Sequence, residues 1–410
     1  MKRVVVTGLG CITPIGNDVN AFWQSLIDGK HGFGEITKFD ASDLKTKIAA
    51  EVKDFKPEEY MEKGEIRKTD LYAQYALAAA AQAVEESEIS GNIFPDRFGV
   101  YIGSGIGGIS TFVNQTEVLL TKGAQRISPF FIPMMIANMA SALVSIKYNA
   151  QGPNMPVVSA CATATHAIGE AFRAIKFGYA DAIITGGAEA AINPLAMGGF
   201  INCMALSTTN DPDNSSIPFD KRRSGFVMGE GAGIIVLEEY EHAIKRNAKI
   251  YCEISGYGNT CDAYHITAPH PEAIGSAEMI RLAMKESGIN ADEKLYINPH
   301  GTSTPLNDKA ETLAIKKAFG DMAYKVPISS IKSMIGHMLG AAGGVEAIAS
   351  VKALETGIIP PTTGYKEPDP DCDLDYVPNI ARRHEIDKAL SISLGFGGHN
   401  AGIVFNKLNI

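Results

Sequence analysis

The chain has 410 residues, which is enough for two domains of ordinary size or for one large α/β unit. Its 45% of hydrophobic and 20% of charged residues are typical of a globular protein with a sizeable core. The net charge of -9 argues against nucleic acid as the main partner, because the sequence has no basic stripe that could neutralise phosphates.

The apolar runs do not indicate a membrane protein, and the cysteines do not indicate a metal-binding protein. No run approaches the ~18 consecutive apolar residues of a membrane helix. The cysteines are widely scattered, without the spacing of metal ligands, and in a chain without a secretory signal they are expected to be reduced thiols. We therefore expect a cytoplasmic protein without a metal site. The cysteines are Cys11, Cys161, Cys203, Cys252, Cys261 and Cys372.

Short apolar runs that end in glycine or another small residue recur along the chain and predict strands. In the first series they occupy residues 3–8, 98–103, 156–160, 182–187 and 233–238. In the second series they occupy residues 250–257, 295–299, 326–330, 389–394 and 401–405. Helical patterns lie between them, for example at residues 70–86 and 166–177. This alternation predicts an α/β fold with a mostly parallel sheet and helices on its faces.

The two series resemble each other, which indicates an internal duplication. Four residues of the first series recur 171 positions later: Pro156, Cys161, His166 and Gly169 as Pro327, Lys332, His337 and Gly340. The sequence GAGIIVLEE at 231–239 likewise resembles NAGIVFNKL at 400–408. We therefore predict two similar α/β halves, 1–250 and 251–410. Residues 104–150, rich in Met, Ile and Phe, are interpreted as an insertion that contributes core or a dimer surface.

The first candidate for chemistry is Cys161, in VVSACATATHAIG at 157–169. It follows an apolar run and precedes a helical pattern, so its thiol would face the positive end of a helix dipole, which favours thiolate. The Cys161 amide could also stabilise an oxyanion. The alternative is that Cys161 is an ordinary small buried residue. His166, one turn further on, is interpreted as a packing residue.

Two further motifs carry histidines. His300 follows an apolar run in YINPHGTSTPLND at 296–308, and the carboxyl end of a strand is where ligands bind in α/β folds. Lys332 and His337, in SSIKSMIGHMLGAAGG at 329–344, are the duplicated equivalents of Cys161 and His166. A lysine in such apolar surroundings needs a partner, and both Glu346 and Glu311 are candidates that the sequence leaves open.

Two glycine-rich segments complete the set of motifs. SLGFGGHN at 393–400 lacks the phosphate-binding patterns and is better interpreted as a flap that presents Phe396. GSGIGG at 103–108 presents Ile106, which could line an apolar channel.

Together and in this order, ACAT, HGTSTPLND, KSMIGH and the final glycine-rich loop resemble the β-ketoacyl-acyl-carrier-protein synthases of the thiolase superfamily, most closely the type II synthases of dissociated fatty-acid synthesis. The resemblance covers essentially the whole chain. It implies a thiolase-like fold with duplicated halves in an α-β-α-β-α arrangement of layers, and a homodimer.

The resemblance also implies a reaction and a role for each motif residue. Cys161 would take an acyl group as a thioester, and His300 and His337 would assist decarboxylation of malonyl-carrier protein. Lys332 would orient the site electrostatically, and Phe396 would gate it and supply an oxyanion-hole amide. The product would be a β-ketoacyl chain two carbons longer.

Substrate-binding and partner roles are implied in the same way. Ile106, Phe200 and Gly397 would line the acyl pocket and its gate, whereas Thr302 and Thr304 would hold the phosphopantetheine arm of the carrier protein. For the acidic acyl carrier protein, the resemblance implies a docking patch that includes Arg67 and Lys68. No cofactor is required, and a monovalent cation near Asn298 and Glu346 is a further option.

Other enzymes and a non-catalytic role fit these motifs less well. A thiolase would carry a second catalytic cysteine in the final loop, where this chain has His399. A non-catalytic scaffold or a decarboxylase-only relative would have lost Cys161. A cysteine hydrolase needs a route for water, whereas this site is suited to excluding water.

Overall fold

The computed structural model describes residues 1–289 and 294–408. Its strands are β1 Val4–Ile12, β2 Gly34–Glu35, β3 Ile48–Ala49, β4 Phe98–Gly103, β5 Ala182–Glu189, β6 Gly231–Glu239, β7 Cys252–Cys261, β8 Leu295–Asn298, β9 Ile358–Ile359, β10 Arg382–Arg383, β11 Lys388–Gly395 and β12 His399–Asn406. Its helices are α1 Val19–Ile27, α2 Lys63–Ile66, α3 Leu71–Ser87, α4 Ile109–Lys122, α5 Phe131–Met135, α6 Met139–Tyr148, α7 Thr163–Lys176, α8 Pro194–Asn202, α9 Tyr240–Lys245, α10 Ile274–Ser287, α11 Pro305–Phe319, α12 Lys332–Ile335 and α13 Ala342–Thr356. Within the described residues, every helix is too short or too polar to cross a membrane.

Eight strands form one sheet in the order β4-β5-β6-β1-β7-β12-β11-β8. Only the outermost pairs, β4 with β5 and β8 with β11, are parallel within this sheet, and the other five neighbouring pairs are antiparallel. The prediction of a mostly parallel sheet is therefore wrong. One physical reason is the short turn at residues 396–398, which joins β11 to β12 as a hairpin and thus forces them to be antiparallel.

Two predicted strands, 156–160 and 326–330, are also wrong. Asn154, just before the first segment, forms a single parallel bridge with Val100, and Ile328, within the second, forms one with Ile297. Both segments then turn away from the sheet. The turns carry the chain into Cys161 and Lys332. The strand predicted at 98–103 is present with the same ends, and the other predicted strands and both predicted helices are present with shifted ends.

Helices α7 and α13 lie between the two ends of the sheet. Helix α7 packs on β5 and also on β12, and α13 packs on β6 and also on β11. Helix α3 covers β1 and β6 on one outer face, and α10 covers β7 and β12 on the other. The layers therefore follow the α-β-α-β-α order that the resemblance implies.

Glycines at the start of α13 allow this close packing. An added Cβ on Gly343 would lie 2.1 Å from Thr165 Oγ1, and one on Gly344 would lie 2.2 Å from the Gly233 carbonyl oxygen. The strand order is symmetric about the β1–β7 pair, with β4, β5, β6 and β1 on one side and β8, β11, β12 and β7 on the other. This symmetry supports a division into halves at residue 250, which stays a prediction.

Candidate active site

Cys161 lies in a tight turn at the amino end of α7. The turn is a 3₁₀ segment, Ala160–Ala162, and Ala160 has a φ of 51°, a left-handed conformation that is unfavourable for a residue with a Cβ. Cys161 is 92% buried. The β11–β12 turn packs against it so closely that an added Cβ on Gly395 would lie 3.3 Å from the Cys161 amide nitrogen.

The two histidines reach Cys161 from turns in the second half of the chain. His300 follows β8, and Glu311 on α11 accepts hydrogen bonds from its backbone amide (2.6 Å) and from that of Gly301 (2.7 Å). The His337 amide donates to the carbonyl oxygen of Val227 at 2.7 Å. Both histidines are buried, and their ring centroids are 5.1 Å apart with ring planes nearly perpendicular.

The side chains of Cys161, His300 and His337 converge on one point. One nitrogen of each histidine and the Cys161 sulfur all lie within 4.8 Å of one another. Among the described residues, both ring nitrogens of His337 and Nδ1 of His300 have no hydrogen-bond partner. Buried polar atoms are rarely left without partners, so these three are available to a substrate.

The protonation states follow from burial and from one nearby positive charge. Burial raises the pKa of the Cys161 thiol to about 12, although Lys332 and the amides of Phe396 and Cys161 act in the opposite direction. Desolvation therefore opposes the effect of the helix dipole on this thiol. Burial, reinforced by Lys332, lowers the pKa of His300 and His337 well below the usual range. A neutral thiol thus faces two neutral imidazoles.

The structure identifies the partner of Lys332, which the sequence left open between two glutamates. Lys332 is fully buried, and its Nζ forms an ion pair with Glu346 on α13. Glu311 instead binds the amides that follow β8, and burial raises its pKa to about 8. The positive charge of Lys332 is therefore held in the apolar interior beside the site.

A cleft of about 420 Å³ leads from the surface to Cys161. It brings together most of the predicted site residues: Cys161, Phe200, His300, Thr302, Thr304, His337 and Phe396. The Phe200 and Phe396 rings are 6.4 Å apart, and the hydroxyls of Thr302 and Thr304 are 3.0 Å apart. The walls are mostly apolar, which suits an acyl chain.

Besides Lys332, four predicted residues do not line this cleft. Ile106 is partly exposed on the 103–108 loop, and its amide donates to Glu189. Gly397 is exposed at the tip of the β11–β12 turn, where its φ of 87° favours glycine. Arg67 and Lys68 are exposed after α2, and the Lys68 ammonium lies 5.1 Å from the centre of the Phe130 ring.

Sequence reasoning missed two residues beside the cleft. The Phe226 ring packs edge-on against His337 with centroids 5.0 Å apart. Asp262, after β7, holds the β11–β12 turn because its carboxylate accepts from the Asn400 side chain at 2.8 Å and its amide donates to Gly398. Neither residue stands in a recognisable motif, and only the tertiary structure brings them to the site.

Comparison with known proteins identifies the family. The N-terminal domain of beta-ketoacyl synthases matches residues 1–243, and the C-terminal domain matches residues 251–366. Proteins named 3-oxoacyl-[acyl-carrier-protein] synthase 2 are 52% identical to this chain in Synechocystis sp., over 99% of this chain and 98% of the relative, and in Coxiella burnetii, over 99% of both.

Solved structures agree with the family models. The ishigamide ketosynthase/chain length factor is similar over both whole chains, with a TM-score of 0.94 and 35% identity. A ketosynthase solved in complex with its type II polyketide acyl-carrier protein has a TM-score of 0.90 and 34% identity, again over both whole chains. By its sequence, its fold and the full length of these matches, the chain belongs to the beta-ketoacyl synthase family.

Proposed function

We propose that Cys161, His300 and His337 carry out the decarboxylative condensation by which this enzyme lengthens a carrier-bound acyl chain by two carbons. The observation that carries the assignment is the convergence of one thiol and two neutral imidazoles within 4.8 Å at the end of an apolar cleft. Each imidazole has at least one ring nitrogen without a partner among the described residues, which leaves it able to bind a substrate oxygen.

In the first half-reaction Cys161 accepts the acyl group. Its sulfur attacks the thioester carbonyl of acyl-carrier protein, the carrier thiol leaves, and the thiol proton passes to that leaving group. The neutral histidines can accept the proton in transit because their lowered pKa keeps them unprotonated. The backbone amides of Cys161 and Phe396 both lower the pKa of the Cys161 thiol by hydrogen bonding. Amides this close to the sulfur can also serve as an oxyanion hole for the acyl carbonyl.

In the second half-reaction malonyl-carrier protein binds beside the acylated Cys161. His300 and His337 each donate a hydrogen bond to the malonyl thioester oxygen, on which negative charge develops as CO₂ leaves. The resulting carbanion attacks the acyl carbonyl on Cys161, and the C–S bond breaks. The released thiolate takes up a proton, and the β-ketoacyl product stays on the carrier.

The remaining site residues orient and admit the substrates. The buried charge of Lys332 favours the developing oxyanion and holds the nearby histidines neutral. Phe396 and Phe200 lie at the apolar wall, and we assign them to the gate together with Ile106 and Gly397 of the adjoining loops. Thr302 and Thr304 present hydroxyls in the cleft, where they suit the amides of a phosphopantetheine arm.

Two partners follow from the surface. Arg67 and Lys68 are exposed cations that suit an acidic acyl carrier protein, in line with the carrier complex of a structural relative. A second copy of this chain suits the 104–150 segment, since it exposes large apolar side chains: Phe112, Leu119, Leu120, Phe130, Ile132 and Ile146. Location in the cytoplasm stays a prediction.

A monovalent cation fits the buried surroundings of Glu346. Three buried oxygens have no hydrogen-bond partner among the described residues: Glu346 Oε2 on α13, and Asn298 Oδ1 and Ser391 Oγ on β8 and β11. Helix α13 packs on β11. Asn298 and Ser391 are paired across β8 and β11. Oxygen atoms are the ligands that such cations prefer, and a bound cation would offset the charge of Glu346 without taking part in the reaction.

Intact-mass analysis of carrier-bound products tests the proposal. The enzyme is mixed with acyl-carrier protein and malonyl-carrier protein, and Cys161→Ala is the control. We expect a β-ketoacyl product two carbons longer from the wild type and none from the variant. Hydrolysis of the acyl group alone, or decarboxylation of malonyl alone, would show that these residues serve a different reaction.

A further inference from the structure

Glu189 is a fully buried carboxylate that the condensation steps do not use. It ends β5, and four donors surround it. Its Oε1 accepts from the Ser104 hydroxyl (2.8 Å) and the Ile106 amide (3.2 Å). Its Oε2 accepts from the amides of Gly105 (2.8 Å) and Gly340 (3.0 Å). Because every neighbour donates, the ionised form is the one that satisfies these hydrogen bonds.

These contacts join two segments that are far apart in the sequence. The 104–106 segment follows β4, whereas Gly340 lies in the 3₁₀ turn Leu339–Ala341 that follows His337. The fit is close, because an added Cβ on Gly105 or on Gly340 would lie 2.7 Å from Glu189 Oε2. One side chain therefore holds both segments in place.

Both segments adjoin strained backbone next to the catalytic trio. Gly105 packs on the nucleophile turn, since its added Cβ would lie 3.4 Å from the carbonyl oxygen of Ala160, the left-handed residue before Cys161. Leu339, just before Gly340, is also left-handed with a φ of 46°. Such conformations persist only where the surrounding structure holds them.

We propose that Glu189 is a positioning residue that braces the nucleophile turn of Cys161 through the 104–106 segment and Gly340. This inference rests on the proposed role of Cys161 as the acyl acceptor. Glu189 touches neither substrate. Its negative charge also raises the pKa of the Cys161 thiol, so loss of the charge alone would speed acylation, and slower acylation in a neutral variant reports loss of the brace.

The brace should matter more for Cys161 than for the histidines. The His337 backbone is held separately, because its amide donates to Val227 and its carbonyl accepts from the Gly229 amide at 2.9 Å. His300 is held by Glu311. Weakening the brace is therefore expected to slow acylation of Cys161 more than the later reaction of acylated enzyme with malonyl-carrier protein, because the histidines that bind malonyl are held separately.

The test uses Glu189→Gln, which keeps the size of the side chain but turns a donating NH₂ group towards amides that also donate. Single-turnover acylation by acyl-carrier protein is followed by intact mass, and the second half-reaction is then measured on enzyme that is already acylated. We expect acylation to slow about 10- to 100-fold, the range for losing one hydrogen bond to a charged group. Ser104→Ala removes a single donor and should give a smaller effect in the same direction.

A matched control separates positioning from stability. Asp70 is another buried carboxylate that holds the insertion, through the amide (3.0 Å) and hydroxyl (2.6 Å) of Thr111. Asp70→Asn should lower the Tm without changing the ratio of the two half-reaction rates. Equal slowing of both half-reactions in Glu189→Gln and Ser104→Ala, or no slowing, overturns the inference. Should Glu189→Gln fail to fold, Ser104→Ala decides alone. A wild-type enzyme that is never acylated at Cys161 would instead contradict the proposed function.

Discussion

His166 and His337 stand 171 residues apart at equivalent points of the duplication, yet their surroundings are opposite. His166 Nδ1 accepts from the Ser159 hydroxyl at 2.7 Å, and its Nε2–H donates to Asn259 Oδ1 at 3.1 Å. Neither nitrogen of His337 has a partner among the described residues. Both rings are buried, so burial alone does not distinguish a structural histidine from a reactive one. The difference in hydrogen bonding does.

The same divergence separates Cys161 from its equivalent, Lys332. The Cys161 side chain lines the cleft, whereas the Lys332 side chain is buried in an ion pair with Glu346. One half of the fold thus supplies the nucleophile, next to a histidine whose two nitrogens are both hydrogen-bonded. The other supplies a buried charge and an unsatisfied imidazole. Duplication produced two similar turns, and reactivity depends on which polar groups each turn leaves without a partner.

The largest expected effect comes from removing the unsatisfied histidine. His337→Ala should lower kcat/KM for condensation by about 10²- to 10³-fold, or ~3–4 kcal/mol of transition-state stabilisation, the usual result of deleting one oxyanion donor. The loss of stability should be that of one packed ring without the added cost of a broken hydrogen bond, because the His337 ring nitrogens have no partner among the described residues. Steady-state kinetics together with calorimetry check both statements. A variant that condenses at the wild-type rate would remove His337 from the reaction.

The partnered histidine should show the reverse pattern. His166→Ala leaves the buried Ser159 hydroxyl without its acceptor and removes a packed ring, so we expect a loss of about 1–3 kcal/mol in the free energy of unfolding. Activity per folded molecule should stay close to that of the wild type. Denaturant titration and kinetics on the same samples measure the two quantities. A large fall in activity at unchanged stability would show that the contrast between the two histidines is wrong.

Local sequence could predict one side of this contrast and not the other. Ser159 lies only seven residues before His166, just ahead of the 3₁₀ turn that leads into α7, whereas Asn259 comes from β7 in the other half of the fold. Likewise the motifs that carry Cys161, His300 and His337 predicted the trio through the family resemblance, whereas the choice of Glu346 over Glu311 depended on how α13 packs. Strand direction was mispredicted for a similar reason. Apolar runs show which segments are buried, but the direction of a strand depends on the connections between distant segments.

A smaller effect is expected in the pH dependence of stability when the wild type is compared with His337→Ala. Because burial lowers the pKa of His337 well below the ordinary value of about 6.5, the unfolded chain binds a proton that the folded chain does not as pH falls below 6.5. This contribution to stability is full above pH ~6.5 and is lost on acidification, by up to about 1.4 kcal/mol per pH unit. Relative to His337→Ala, the wild type should therefore lose stability below pH 6.5.

Only the difference between the variants isolates this effect. Burial raises the pKa of Glu189 to about 7 and that of Glu311 to about 8, and these groups change stability in the opposite direction over the same range. Both are present in wild type and variant alike, so their contributions cancel. If the free energies of unfolding of the two proteins change in the same way between pH 5 and 7, His337 is not neutral and desolvated in the folded protein.

The smallest expected effect concerns the outer partner of His166. Asn259 is exposed, so water can replace its oxygen, and Asn259→Ala should cost less than ~1 kcal/mol of stability. The bond to Asn259 nevertheless raises the pKa of His166 against the effect of burial, so its removal should lower that pKa further. Nitrogen NMR of the imidazole measures the shift, and Asn259→Asp, which restores an acceptor and adds a negative charge, should move the pKa upward instead. If neither substitution moves the pKa, the hydrogen bond at Nε2 does not control the protonation of His166. The packing of α7 against β7 must then explain why His166 takes no part in the reaction.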